Sequence, residues 1–161
     1  MAESLVFTAT DDRVALYGEI VPQIEALVVG ETDVVANLAN IAAVLKQAFG
    51  FFWVGFYLKK EDELVLGPFQ GPLACTRIAF GSGVCGHAYA TRETVIVTNV
   101  DEFPGHIACA SESRSEIVLP ILDDNGDCLG VLDVDSDRLA DFDAVDAAGL
   151  GRIVKIVERI I

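Results

Sequence analysis

Ser115-Glu-Ile-Val-Leu-Pro-Ile-Leu122, Asp123-Asp-Asn-Gly126 and, after Asp127, Cys128-Leu-Gly-Val-Leu-Asp-Val134 follow one another, and their reading decides the fold. Two β-rich runs flank an Asn-Gly dipeptide, which populates the tight turn whose twist suits antiparallel strands. The stretch therefore predicts a β-hairpin. Working back toward the N-terminus, residues 95–98 read as a short strand and residues 101–114 as an aperiodic loop holding Pro104, Gly105 and Cys109. Gly81-Ser-Gly-Val-Cys-Gly86 opens a short helix over 84–90, preceded by a strand over 74–80 and the turn-rich Gly67-Pro-Phe-Gln-Gly-Pro72. Phe51-Phe-Trp-Val-Gly-Phe-Tyr-Leu58 and residues 63–66, joined at Lys59-Lys-Glu-Asp62, predict a second hairpin.

Helices bracket this β-rich middle. Thr10 or Asp11 caps a first helix running to about Val28, which Pro22 should kink or divide. Thr32 caps a second, with Val35, Leu38, Ile41, Ala42 and Leu45 at helical spacing, ending near Gly50. Asp141 caps the last, burying Val145, Ala148, Ile153, Ile156, Val157 and Ile160. Hairpin-linked strands grouped between terminal helices predict an α+β fold with an antiparallel sheet. One domain over 1–161 is the economical division: helices about 10–49, sheet and loops about 51–136, and a last helix about 141–160.

Composition narrows the partners. The 161 residues are 52% hydrophobic, enough for a proper core, and carry a formal charge of −14 from 25 acidic and 11 basic side chains. That balance repels phosphate backbones and anionic lipid, so neither nucleic acid nor membrane is an expected partner. Met1-Ala-Glu-Ser-Leu-Val6 lacks the basic start and apolar run of a signal peptide, and the richest apolar run, 49–58, is too short to span a bilayer. A soluble, cytoplasmic protein is predicted.

Candidate chemistry rests on thiols and carboxylates. Cys75, Cys85 and Cys109 sit beside turns or in loops, whereas Cys128 begins a strand as a core thiol would, and no Cys-x-x-Cys pair occurs. Each thiol alone fits a buried structural role; three loop-edge thiols together favour redox chemistry. Asp133 and Asp135 share one face of their strand by alternation, and the hairpin can bring Glu116 level with them. Such a cluster is either a solvated acidic strand end or a pocket whose mutual repulsion leaves one carboxyl a proton to donate. Trp53 and Tyr57, on one strand face, read as sheet core or as an aromatic wall for a small apolar group. His87 and His106 are irregularly separated and lack a close ligand pair, which argues against zinc.

Five strings in order, Gly67-Pro-Phe-Gln-Gly-Pro-Leu-Ala-Cys-Thr-Arg-Ile78, Gly83-Val-Cys-Gly86, Phe103-Pro-Gly-His-Ile-Ala-Cys109, Ser115-Glu-Ile-Val118 and Gly130-Val-Leu-Asp-Val-Asp-Ser136, resemble the free methionine-(R)-sulfoxide reductases. These are GAF-domain enzymes, and the likeness spans nearly the whole chain. It implies a single GAF-like domain, with terminal helices packed on one sheet face and loops forming a ligand pocket on the other. It also implies that Cys109 attacks, Cys75 resolves, and Cys85 is a further active-site thiol able to join disulfide exchange. Glu116, Asp133 and Asp135 would hold the substrate or activate its sulfoxide, beside an aromatic wall of Trp53 and Tyr57. The implied cycle needs no metal, flavin or nucleotide, only a dithiol reductant of thioredoxin type, and the implied assembly is a homodimer joined through the terminal helices. Two positions depart from the family pattern: Ala110 stands where an acidic residue is usual, with Glu112 two residues on, and Cys128 lies outside the family's cysteine set. The competing expectations are a non-catalytic GAF sensor that binds a small molecule and a structural zinc protein.

Overall fold

The expected hairpin forms in the computed structural model, which describes residues 4–161; the leader reading of residues 1–3 lies outside them. In chain order the elements are α1 (Arg13–Leu27), α2 (Val34–Phe49), β1 (Trp53–Lys60), β2 (Glu63–Gln70), β3 (Arg77–Ala79), α3 (Gly83–Thr91), β4 (Val95–Val97), β5 (Ser115–Leu122), β6 (Cys128–Ser136) and α4 (Ala144–Val157). A single 3₁₀ turn, Val100–Glu102, follows β4. The strands form one sheet in the order β3-β2-β1-β6-β5-β4, with every neighbouring pair antiparallel.

Antiparallel sheets often leave one face to water. Here both faces are covered, so β5 and β6 are buried along almost their whole length. Alternation sorts the side chains between two layers. Val54 and Phe56 of β1, Ile117 and Leu119 of β5, and Leu132 and Val134 of β6 meet α1, α2 and α4 in the main core. Trp53, Tyr57, Val118 and Val131 point the other way, onto α3 and its flanking loops. Fully burying one such aliphatic side chain stabilises the fold by about 1.5–3 kcal/mol, so register and face are strongly specified. Among the described residues no helix is long and apolar enough to cross a membrane.

Several local expectations change. Pro22 does not divide α1, which runs through it as one helix. Leu16, Tyr17 and Ile20 before the proline and Ile24 after it are buried in the same core, and that packing outweighs the lost backbone bond. The turn-rich segment 67–72 is partly strand, since β2 continues to Gln70. Its register against β1 shifts between Gly55 and Tyr57, and this bulge accommodates Pro68, which has no N–H for the ladder. β3 is shorter than its predicted 74–80, because Cys75 is drawn into a disulfide. Helix caps fall one or two residues beyond the predicted ones, at Asp12, Asp33 and Asp143.

Asp141, displaced from the cap, instead accepts from Arg13 and Arg138 and from the Ser136 hydroxyl. Beside it Asp146, only 1% exposed, accepts from the Tyr17 hydroxyl at 2.9 Å and from Arg13 at 2.9 Å while completing the capping box of α4. This buried knot ties α1 to α4. Removing its central acceptor would leave the buried Tyr17 hydroxyl without a partner and cost Arg13 one of its two carboxylates. Asp146→Ala should therefore lower the unfolding free energy by about 3 kcal/mol in denaturant titration. A loss below about 1 kcal/mol would show that the knot behaves as a surface ion pair.

Candidate active site

The pocket face of the sheet is set by cross-strand register. Asp135 on β6 pairs with Trp53 on β1 and with Glu116 on β5, so an indole and two carboxyls lie in one row across three strands. One step along β6, Asp133 faces the same way and pairs with Gly55. Gly55 is required there, since a Cβ would stand 2.3 Å from that of Phe69 and 2.7 Å from the Trp53 ring. The space it leaves lets Trp53 stack on Phe69 with ring centroids 5.3 Å apart and on Tyr57 at 6.0 Å. Both aromatic side chains also tether the segment above them: the Trp53 indole donates to the Pro72 carbonyl at 3.2 Å and the Tyr57 hydroxyl to the Cys75 carbonyl at 2.8 Å.

The thiols approach from the loops. Cys75 and Cys109 form a disulfide, with S–S 2.13 Å and Cα atoms 5.3 Å apart. Cys85 lies in the first turn of α3, buried, with its Sγ 4.0 Å from Glu116 Oε1. The helix can start so near the sheet because Gly86 has no Cβ; one would stand 2.6 Å from the Ala79 carbonyl oxygen. Ser82, the N-cap of α3, makes no side-chain capping bond, so the first N–H groups of the helix face the pocket unused. Together these elements border a small, partly open pocket whose wall includes Trp53, Tyr57, Cys85, Cys109, His106 and Glu116.

Asp133 and Glu116 are buried within that wall, and Asp135 beside them is half-buried. Burial, and then repulsion from Asp135, hold Glu116 and Asp133 well above the usual carboxylate range; Glu116 adds to the rise at Asp133, while Asp133 opposes the rise at Glu116. Burial pushes Asp135 up to about 6, against the opposing pull of its Ser113 bond and of His106. Asp133 Oδ1 is buried without a hydrogen-bond partner. The Cys85 sulfur and carboxyl oxygens of Glu116 and Asp133 lie within 4.8 Å of one another, near enough for the charge on one to govern the protonation of the next. Burial and these same carboxyls push the Cys85 thiol well up, which keeps it protonated.

All eight sequence-derived candidates, Cys75, Cys85, Cys109, Glu116, Asp133, Asp135, Trp53 and Tyr57, line this pocket or its closing disulfide. Cys128 does not; it is buried near the hairpin turn with its Sγ 3.2 Å from the Gly130 carbonyl. His87 is exposed, in edge contact with Phe103, and so is not brought together with His106, which lines the pocket. Glu112 is exposed and accepts from Ser111, so it does not supply at the pocket the acid missing at Ala110. Sequence reasoning missed Ser113, whose hydroxyl donates to Asp135 at 2.6 Å. One serine in an aperiodic loop carries no signal that would have found it.

A covered antiparallel sheet with a thiol-ringed pocket on the face opposite its terminal helices defines a GAF-type redox domain. The family model described as GAF domain matches residues 33–160. GAF domain-containing protein A of Dictyostelium discoideum is 57% identical over 89% of this chain and 90% of its own length. Free methionine-R-sulfoxide reductase of Escherichia coli is 42% identical over 93% of this chain and 91% of its own. The X-ray structure of free methionine-R-sulfoxide reductase from Neisseria meningitidis, in complex with its substrate, superposes with a TM-score of 0.94 at 61% identity, covering 98% of this chain and 94% of that one. The chain belongs to the GAF-domain family and, within it, to the free methionine-R-sulfoxide reductases.

The cluster makes a prediction about stability. These carboxyls release their protons less readily folded than unfolded. The stability they confer is complete below the ordinary carboxylate range, near pH 4, and is lost as pH rises through their folded values, about 6 for Asp135. Asp135→Asn removes one buried charge and keeps an acceptor for Ser113. It should melt at a higher temperature than the parent near neutral pH, with the gain vanishing toward pH 4. An equal or lower melting temperature near neutral pH would show that the cluster is not under electrostatic strain.

Proposed function

We propose that the chain reduces free methionine-(R)-sulfoxide to methionine through a thiol, sulfenic acid and disulfide cycle run in this pocket. The observation that carries the reading is the Cys75–Cys109 disulfide closing over the two buried carboxyls of Glu116 and Asp133, both held well above the usual range, with half-buried Asp135 beside them. A sulfoxide sulfur accepts a nucleophile only when its oxygen is protonated or hydrogen-bonded, so the reaction needs a thiol and an acid together. The Neisseria relative, seen in complex with its substrate, supports the same ligand class.

Environment divides the carboxyls by role. Asp135, at about 6, is ionised at neutral pH and suits the substrate ammonium. Glu116 and Asp133 retain protons and direct one to the sulfoxide oxygen. The unused N–H groups at the start of α3 suit the α-carboxylate, and Trp53 with Tyr57 encloses the methyl-bearing end. Enclosure of both free termini explains a preference for the free amino acid over a peptide.

Chemistry then follows in two balanced steps. Cys109 attacks the sulfoxide sulfur, two electrons pass to that sulfur, and the oxygen leaves on Cys109 as a sulfenic acid while methionine is released. The Cys75 thiol displaces that oxygen as water, giving the disulfide, and an external dithiol of thioredoxin type reopens it by exchange. Cys85, kept protonated, stays out of the first attack and joins only later exchange. Recycling by such a dithiol places the enzyme in a reducing cytoplasm. The proposal includes a homodimer joined through the terminal helices, where Val14 and Val35 stand exposed.

Thiol substitution separates the steps. Pre-reduced Cys109→Ser should form no methionine from methionine sulfoxide, because a hydroxyl cannot take the nucleophile's part. Cys75→Ser should release methionine in a single burst and then stall with a sulfenic acid on Cys109, detectable by mass spectrometry after trapping. Cys128→Ser should turn over as the parent does. A full burst from Cys109→Ser would move the nucleophile to Cys75 or Cys85.

A further inference from the structure

The acidic pocket poses a problem that its thiols and carboxyls do not resolve. Carboxylates disfavour a neighbouring thiolate, yet the thiolate is the attacking form. Glu116 and Asp133 retain protons and so are poor acceptors for another. Some group must take the proton of Cys109.

Among the described residues, His106 is the only basic side chain in the pocket wall. Its side chain is 14% exposed, and Nε2 stands 3.6 Å from Glu116 Oε2. Its position is built, not incidental. The His106 N–H donates to the Phe103 carbonyl at 3.1 Å, a turn permitted by Gly105 at φ +73°, and the Cys109 N–H donates to the Ile107 carbonyl at 3.0 Å. One short loop thus carries the imidazole and the nucleophile together against the carboxyls. The charged and titratable groups around it are Glu116 on β5, Asp133 and Asp135 on β6, Cys85 on α3 and Tyr57 on β1. Among these groups the imidazole alone offers a nitrogen that can accept a proton.

Resting on the sulfoxide-reductase reading of the pocket, we propose that His106 is the proton carrier of the reaction, taking the proton of the Cys109 thiol and returning it to Glu116. The step balances. Cys109 loses its proton to the imidazole, and the thiolate electron pair bonds to the sulfoxide sulfur. Glu116 or its partner Asp133 gives a proton to the sulfoxide oxygen, that oxygen passes to the Cys109 sulfur as its bond to the substrate sulfur breaks, and the new sulfur–sulfur bond breaks with its electron pair left on the methionine sulfur. The imidazolium then restores the proton to Glu116, 3.6 Å away. Methionine sulfur is reduced by two electrons, Cys109 sulfur is oxidised by two, and no net proton is consumed. His106 also offsets the charge left on the carboxyls while the thiolate exists.

The test compares the pre-reduced parent with His106→Asn and His106→Gly. Alkylation of Cys109 by iodoacetamide, followed on its own peptide across pH, reports the thiolate without reference to any substrate. Near neutral pH both variants should alkylate Cys109 roughly tenfold more slowly. Single-turnover methionine formation should fall by roughly a hundredfold or more, with KM changed less than about threefold. Free imidazole should restore part of the rate to His106→Gly and none to His106→Asn. Unchanged alkylation or an unchanged single-turnover rate overturns the proposal. A raised KM at constant rate also overturns it and makes His106 a substrate contact. If the parent itself forms no methionine while Cys109 alkylation still depends on His106, the sulfoxide reading fails and the thiol–imidazole pairing stands.

Discussion

The structure depends most on the register between β5 and β6, where Glu116 stands opposite Asp135 and Val118 opposite Asp133. Side chains alternate with a period of two, so a slip of one residue in either strand would turn the carboxyls into the helix-covered core and expose Ile117 or Val134. The Asn-Gly turn and the apolar residues on the helix face hold that register. They thereby force acidic groups to face one another in a dry layer. Each strand is buried on both sides, which removes the ordinary escape of an acidic side chain into water.

This arrangement is electrostatically costly, and the fold offsets the cost elsewhere. The main core between the sheet and α1, α2 and α4 is dominated by apolar side chains, and at its edge Asp146 is partnered by Tyr17 and Arg13. The pocket layer is the reverse. Asp133 Oδ1 has no partner, and three carboxyls compete for few protons. Buried acids without a counter-charge retain protons, and a retained proton is what sulfoxide chemistry requires. Disulfide closure between Cys75 and Cys109 links that chemistry to the loops, since the segment carrying Cys75 hangs from Trp53 and Tyr57. One set of aromatic side chains thus serves as pocket wall and as loop anchor.

Much of this was legible in the residues. Asn125-Gly126 marks the hairpin, and the alternation of Asp133 and Asp135 places both on the pocket face without any coordinates. The pairing of Cys75 with Cys109 was not legible from spacing; it came from the family strings, because a disulfide across 34 residues depends on where two loops meet. Pro22 and Pro68 misled, since a breaker is judged locally whereas buried neighbours on α1 and a bulge beside β1 decide its tolerance. Helix caps slipped because Thr10, Asp11 and Asp12 all have capping chemistry and only one meets the N–H of Ala15. Ser113 and His106 were illegible as site residues for a shared reason. Both lie in an aperiodic loop, where side-chain direction follows from tertiary contact and not from period.

The central claim is that this pocket performs one complete reduction using its own thiols. The direct measurement supplies fully reduced protein with free methionine-(R)-sulfoxide and no reductant, then counts methionine and maps disulfides by mass spectrometry. The account predicts about one methionine per chain, matched by formation of the Cys75–Cys109 disulfide. Bound sulfoxide with no methionine formed and both thiols still free would contradict it, and would make the domain a binding module.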